Sequence, residues 1–297
     1  MRILVFGSLN IDRTYTVDAF VKPGQTISAH RMDEYCGGKG FNQAIALRRA
    51  GNEVCFAGAV GADGRILLDA LERNGIEHHL VKQTDSATGH AVIQLDAQGA
   101  NCIVILAGAN GTITEADAEK ALSEFGAGDL IVLQNEISCV PQIIENAHHK
   151  GMIVALNPSP YNARISHCNL SFVDYLLVNE EEGASLSGQA NPDDMLDALH
   201  DRYPAMNIVL TLGNQGAMYE SKTGQRSHCG IVPVEVVDTT AAGDTFTGYF
   251  LTEILCHREA ERALRMASAA AAIAVSQRGA EPSIPIYADV LRIADTV

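Results

Sequence analysis

An α/β fold, with a mostly parallel central sheet and helices on both faces, is predicted by two observations. Short runs rich in aliphatic and β-branched residues alternate with amphipathic stretches of helical period, the pattern of repeated strand–helix–strand units. The strand runs are apolar almost throughout, as strands buried on both faces must be. The chain is long enough for this: 297 residues, 47% hydrophobic and 19% charged, allow one large domain with a generous core.

The predicted core strands are residues 2–6, 54–60, 130–134, 153–157, 175–178 and 208–211. Helices separate most of them: 63–73 stops at Gly75, 114–124 begins at the capping residue Thr114, and 141–150 stops at Gly151. Two regions, 14–35 and 89–106, break the alternation with period-two strands and turns such as Ala97-Gln98-Gly99, and read as a small separate β-sheet. Residues 1–6 read as a first buried strand and not as a signal peptide. The longest apolar stretch, residues 266–275 interrupted only by Ser268, is too short for a bilayer and is mostly alanine, which suits close helix packing.

Two glycine-bearing turns carry the chemistry. The first, Asp238-Thr239-Thr240-Ala241-Ala242-Gly243-Asp244-Thr245-Phe246, runs from small residues into an apolar helix with a carboxylate in its first turn. Backbone N–H groups at a helix start lack intrahelical partners and sit at the positive end of the helix dipole, so they can receive a phosphate oxyanion. A carboxylate there repels phosphate, and is useful only if it takes a proton from a hydroxyl attacking that phosphate. Asp and Thr are also ordinary caps, so this turn alone does not separate a catalytic site from a capped helix.

The second turn, Gly37-Gly38-Lys39-Gly40-Phe41-Asn42-Gln43-Ala44, also opens a helical pattern, which ends at Gly51. Its glycines let a backbone approach a ligand closely, while Lys39 and Asn42 supply a cationic donor and a bidentate amide. Neither the Walker spacing G-x-x-x-x-G-K-[ST] nor the dinucleotide spacing G-x-G-x-x-G is present. Asn10, Asp12 and Glu136 follow strand ends, where parallel sheets gather ligands, and add the carboxylates and amides that sugar hydroxyls need as partners.

Together the turns resemble the two signatures of the ribokinase family of carbohydrate kinases, which also includes the minor phosphofructokinase, fructokinases and adenosine kinases. The similarity runs from Gly7-Ser8-Leu9-Asn10-Ile11-Asp12 to Gly279-Ala280-Glu281-Pro282-Ser283 and is strongest toward the ribokinase branch. The resemblance implies a ribokinase-like Rossmann-type sandwich in which residues 1–297 form a single α/β kinase domain, with a β-lid inserted as segments 13–36 and 88–106. It implies transfer of the γ-phosphoryl group of ATP to the primary hydroxyl of a pentose, foremost D-ribose.

By the same resemblance Asp244 is the base, the N–H groups of Ala241, Ala242 and Gly243 hold the transferring phosphoryl, and Asn10, Asp12, Gly38, Lys39, Asn42 and Glu136 hold the sugar. Asn179, Thr211, Gly213, Gly216, Gly243 and Ser268 match nucleotide-binding positions, and Glu182 matches one that helps hold Mg²⁺ through water. Asp238, Thr240, Ala274, Gln277, Gly279 and Ser283 match the ligands of a monovalent cation, usually K⁺. A homodimer joined through the lid edges is expected. The family turn usually reads Gly-Ala-Gly-Asp; Ala241 stands in its first place and is expected to enter the helix with negative φ.

Composition narrows the partners further. A formal charge of −15 argues against nucleic acid and requires the triphosphate site to be positive only locally. Seven cysteines without C-x-x-C spacing fit reduced thiols in a cytoplasmic protein. The adjacent histidines of His78-His79 and His148-His149 point to different faces and read as surface residues rather than metal ligands. The rival readings are a nucleoside kinase acting on adenosine or pseudouridine, whose base could meet Tyr15, Phe20 or Tyr35, another sugar kinase of the same family, and a non-catalytic sugar-binding sensor, against which the intact Asp244 and complete turn argue. A nicotinamide oxidoreductase is disfavoured by the missing fingerprint.

Overall fold

The computed structural model describes residues 1–98 and 100–294, so Gly99 of the expected 97–99 turn and the last three residues of the expected domain lie outside the described residues. In chain order the elements are β1 (Ile3–Phe6), β2 (Asn10–Thr16), β3 (Arg31–Gly37), α1 (Lys39–Arg49), β4 (Val54–Val60), α2 (Arg65–Arg73), β5 (Glu77–Gln83), β6 (Gly89–Leu95), β7 (Asn101–Leu106) and α3 (Glu115–Leu122). They continue with β8 (Leu130–Gln134), α4 (Val140–His149), β9 (Ile153–Asn157), β10 (Tyr175–Asn179), α5 (Glu180–Ser187), α6 (Pro192–Arg202), β11 (Asn207–Thr211), β12 (Ala217–Glu220), β13 (Arg226–Cys229), α7 (Ala242–Leu255), α8 (Ala260–Val275) and α9 (Tyr287–Ala294).

Nine strands form the main sheet in the order β13-β12-β11-β10-β9-β8-β1-β4-β5. Pairing is parallel from β11 to β5, and β12 and β13 add an antiparallel edge. All six predicted core strands are present, most within a residue of their expected limits, whereas β5, β12 and β13 were not anticipated. β5 and β13 are half-exposed and polar-rich and lack the apolar run that marks a central strand, while β12 is mostly buried but only four residues long and ends in a charged residue, so no run stands out.

The period-two rule explains the layers. Ile3 and Val5 face one buried cluster with residues of α1, α2, α7, α8 and α9, while Leu4 and Phe6 face the other with residues of α3, α4 and α6. Each fully buried aliphatic side chain contributes about 1.5–3 kcal/mol, so a central strand buried on both sides is the strongest organiser the fold has. Thr114 caps α3 in a reciprocal capping box with Asp117, as its position before an apolar helix predicts.

β2, β3, β6 and β7 form a second sheet in the order β3-β2-β6-β7, with β2 and β6 parallel and both outer pairs antiparallel. Its first strand begins at Asn10, so Asn10 and Asp12 belong to this sheet rather than to the end of β1.

The chain leaves β1 toward β4 and β5, then returns to the other side of β1 at β8. That reversal opens a crevice beyond the C-terminal ends of β1 and β8, the place where open α/β sheets bind ligands.

Close helix packing fixes both walls of this crevice. A Cβ on Gly40 of α1 would lie 2.6 Å from Gly7 Cα, just past β1, and a Cβ on Gly248 of α7 would lie 2.5 Å from Ala46 Cβ of α1. Gly248→Val is therefore expected to separate α7 from α1 and destabilise the protein by about 1–3 kcal/mol. An unchanged urea midpoint would contradict that packing.

Candidate active site

The small-residue turn enters α7 as predicted, but with a different backbone. Ala241 is the N-cap residue at φ 61°, ψ 5°, in the left-handed region, and not at the negative φ expected of it. The chain must reverse sharply there before Thr245 N–H donates to Ala241 O at 2.8 Å. Glycine meets such a geometry without a Cβ clash, which accounts physically for the usual glycine at this place; alanine accepts a cost of roughly 1 kcal/mol. Of the three N–H groups expected to face a phosphoryl, that of Ala242 donates to Thr239 O at 3.3 Å.

Asp244, in the first turn of α7, is 7% exposed. Its two oxygens accept separate side-chain hydrogen bonds from α1: Gln43 Nε2 to Oδ1 at 2.9 Å and Asn42 Nδ2 to Oδ2 at 3.0 Å. Gln43 is held in turn, because Gln134 Nε2 at the end of β8 donates to Gln43 Oε1 at 2.6 Å. The carboxylate is thus fixed by neutral donors at a helix N-terminus. Asn42 Oδ1 remains buried without a partner among the described residues, an acceptor suited to a hydroxyl.

Glu136 stands just beyond β8, where its Oε2 accepts from Lys39 N–H at 2.9 Å and also from the Ser8 hydroxyl. Asn10 is buried, and its Oδ1 accepts from Asn110 Nδ2 at 2.8 Å; Asn110 Oδ1 in turn accepts from Leu9 N–H at 3.0 Å. Asp12 sits over Gly37, where a Cβ would lie 2.0 Å from Asp12 Oδ2. Its carboxyl is pushed from 3.8 up to about 6, by burial first and then by Glu136 and Asp244. Burial alone would lower the pKa of Lys39, but Asp244, Glu136 and Glu182 outweigh it and raise the value, so the ammonium persists. The glycines around Lys39 serve chiefly to seat this loop against β1 and Asp12, where the sequence suggested approach to a ligand.

A cleft runs on from Lys39 and Asp244 past Ala241, Gly243, Asn179, Glu182 and Thr211. Asn179 and Glu182 form a reciprocal capping box: Glu182 N–H donates to Asn179 Oδ1 at 2.9 Å and Asn179 N–H to Glu182 Oε2 at 3.1 Å. Gly213, Gly216 and Ser268 are not among the cleft-lining residues; Ser268 is buried in α8.

Before the turn, Asp238 Oδ1 accepts from Thr240 N–H at 2.9 Å and from its hydroxyl at 2.6 Å, while Oδ2 accepts from Gly279 N–H at 2.9 Å. Burial raises its pKa, but these hydrogen bonds outweigh it and hold the carboxyl below the usual range. The cluster joins Asp238, Thr240 and Gly279, with Val237 and Asp238 N–H both on Val275 O. Ala274 and Gln277 lie at the adjoining end of α8, where Gln277 N–H donates to Ala274 O at 3.2 Å; Ser283 is buried, with its hydroxyl on Ala280 O.

Sequence reasoning missed Ser8, Gln43, Asn110 and Gln134, which hold the others in place, and Asn157 and Ser159, which line the cleft. Position was the available signal: Gln134 ends a buried strand, and Gln43 lies one residue after Asn42.

A pfkB family carbohydrate kinase model matches residues 1–286, and the chain belongs to that family of phosphotransferases acting on alcohol groups. It is 33% identical to the ribokinase of Haemophilus influenzae, with 99% of this chain and 98% of that one covered. It is 31% identical to the deoxyribokinase of Salmonella typhi, over 96% of each chain. The structure of Arabidopsis thaliana ribokinase complexed with ribose and ATP superposes with a TM-score of 0.86 at 30% identity, covering 99% of this chain and 98% of that one.

The raised Asp12 value has a sign that can be checked. The folded protein retains a proton up to about pH 6 that the unfolded chain gives up near 3.8, so the charged carboxylate opposes folding above about pH 6. Asp12→Asn should raise the melting temperature of the ligand-free protein at pH 8, with the gain shrinking as pH falls through 6 toward 4. Equal melting temperatures for both proteins at pH 8 would contradict the assigned burial.

Proposed function

We propose that this enzyme transfers the γ-phosphoryl group of ATP to the primary hydroxyl of a pentose, with D-ribose the favoured acceptor. The observation that carries the reading is Asp244: a buried carboxylate, held by Asn42 and Gln43 at a helix N-terminus, on the wall of a cleft. There it can orient an acceptor hydroxyl and take its proton. A carboxylate is too weak a base to free an alkoxide, and it need not do so. In a loose transition state the nucleophile is barely bonded, so the proton can leave late.

Asn10, Asp12, Gly38, Lys39, Asn42 and Glu136 hold the sugar in this reading, and Ala241 and Gly243 offer N–H groups to the phosphoryl. Asn179, Thr211, Gly213, Gly216 and Ser268 attend the nucleotide. Glu182 suits Mg²⁺ held through water, since it is a buried oxygen donor on the cleft wall; bound Mg²⁺ neutralises triphosphate charge. The carboxylate and carbonyl oxygens around Asp238, Ala274 and Gly279 suit K⁺, which stiffens the anion turn when bound.

The second sheet serves as the lid, excluding water while the phosphoryl is in transit, and Asp12 and Asn10 couple it to the sugar. Its outer strand β7 is exposed throughout and carries Ile103 and Val104, at 48% and 65% exposure. A second subunit covers this apolar edge in a homodimer. The free cysteines suit a cytoplasmic location. The deoxyribokinase relative keeps 2-deoxyribose among the acceptors to be tried.

A coupled ADP-release assay across ribose, deoxyribose, fructose, adenosine and pseudouridine, with and without K⁺, tests the reading. Ribose should give the highest kcat/KM, and Asp244→Asn should lose roughly a hundredfold or more in turnover while still binding sugar. No phosphorylation of any pentose would favour the sensor reading. Val104→Glu should shift the mass in light scattering from dimer to monomer; a monomeric parent protein would refute the dimer.

A further inference from the structure

Far from the cleft, at the opposite edge of the main sheet, three metal-ligating side chains converge. Cys55 is the second residue of β4, and Glu77 and His79 lie on the edge strand β5. Their ligand atoms all lie within 4.8 Å of one another. Cys55 and Glu77 are direct cross-strand partners, and the register slips between Cys55 and Ala57, so that Leu80, three residues after Glu77, faces Ala57. A bulge of this kind re-aims side chains locally. It brings in His79 as well as Glu77, whereas the adjacent pair His78-His79 could not have shared one ion.

Glu124, in the segment after α3, adds a fourth group: its Oε2 lies 2.9 Å from His79 Nε2. Both Glu77 and Glu124 act on the buried Cys55 thiol, and with burial as the larger cause they push it up to about 12. Arg2, the cation that acts on the thiol in the opposite sense, is itself paired with Asp129 at 3.1 Å. A thiol, an imidazole and two carboxylates on one patch present excess negative potential and the mixed S, N, O donors that zinc accepts.

We propose that Cys55, Glu77 and His79 form a zinc-binding site at the β4–β5 edge, with Glu124 either orienting the imidazole or completing the coordination sphere. Zinc bonds of about 2.0–2.3 Å require the ligand atoms to close by roughly an ångström. Glu77 and His79 can supply this by side-chain rotation, because both are exposed. Binding displaces the Cys55 proton to solvent and clamps the edge strand to its neighbour. The ligands sit at the N-terminal ends of β4 and β5, whereas the cleft lies beyond the C-terminal ends of β9, β10 and β11. The ion is therefore structural and stays out of phosphoryl transfer.

Untagged, fully reduced protein titrated with Co²⁺ tests the site. The expected result is one equivalent bound with a thiolate-to-cobalt charge-transfer band, displaced by one equivalent of Zn²⁺, and a melting temperature that rises with Zn²⁺ concentration. Cys55→Ser should abolish the band, and His79→Gln should weaken binding at least tenfold. The second variant stands on an exposed edge residue, so it reports even if the buried Cys55 substitution impairs folding. Sugar-kinase turnover should be the same with and without Zn²⁺. No stoichiometric binding, a band that persists in Cys55→Ser, or wild-type affinity in His79→Gln would overturn the proposal and leave only a surface ion pair.

Discussion

The site depends on one interaction: a buried carboxylate held by two side-chain amides. Taking Asp244 out of water is costly, and only hydrogen bonds to both oxygens, with the positive end of α7 beside it, make the position tenable. Because the donors come from α1 and the acceptor from α7, the two helices must meet within a few tenths of an ångström of their observed contact. Small residues allow that: Gly248 against Ala46 on one side of α1, and Gly40 against Gly7 on the other. Gln134 then ties Gln43 to β8, so three elements must dock before the carboxylate is oriented. Neutral donors also suit a proton acceptor, since a cation in their place would weaken any carboxylate as a base.

The parts of this arrangement that could be read in the sequence are those that repeat or contrast. Central strands are apolar runs between helical patterns, and all six stood out; the edge strands β5 and β13 did not, because half-exposed strands lose the apolar contrast, and neither did β12, which is mostly buried but only four residues long. The two turns were legible because glycines, Lys39 and a carboxylate at a helix start form an unusual combination. Ser8, Gln43, Asn110 and Gln134 were not. A buried polar side chain looks like any other until its partner, as many as 201 residues away for Gln43 and Asp244, is known.

Ala241 shows a subtler limit. A residue's identity gives a preference for φ, but the local demand for a reversal overrides it when neighbouring contacts fix the turn. Here Asp238 holds Thr240 and Gly279 at once, and Val275 O receives two N–H groups, so the chain reaches position 241 from a fixed direction. The left-handed residue is the joint between that clamp and α7. A residue larger than alanine, and above all a β-branched one, would transmit its strain straight to Gly243 and Asp244.

Charge distribution selects among acceptors. Asp12, Glu136, Asp244 and Glu182 all act on Lys39 or on one another, and burial, followed by the charges of Glu136 and Asp244, raises Asp12 to about 6. One ammonium does not neutralise four carboxylates. Such a pocket has many acceptors and few donors, which a neutral polyol complements by donating its hydroxyl protons. A sugar that already carries a phosphate would bring further negative charge and would need an added cation, such as an arginine in fork geometry, to hold it. None of the residues placed around the candidate sugar site is an arginine. The acidity of the pocket thus favours an unphosphorylated sugar. In the proposed reading, the triphosphate is left to the stretch of the cleft where the N-termini of α5 and α7 meet Lys39.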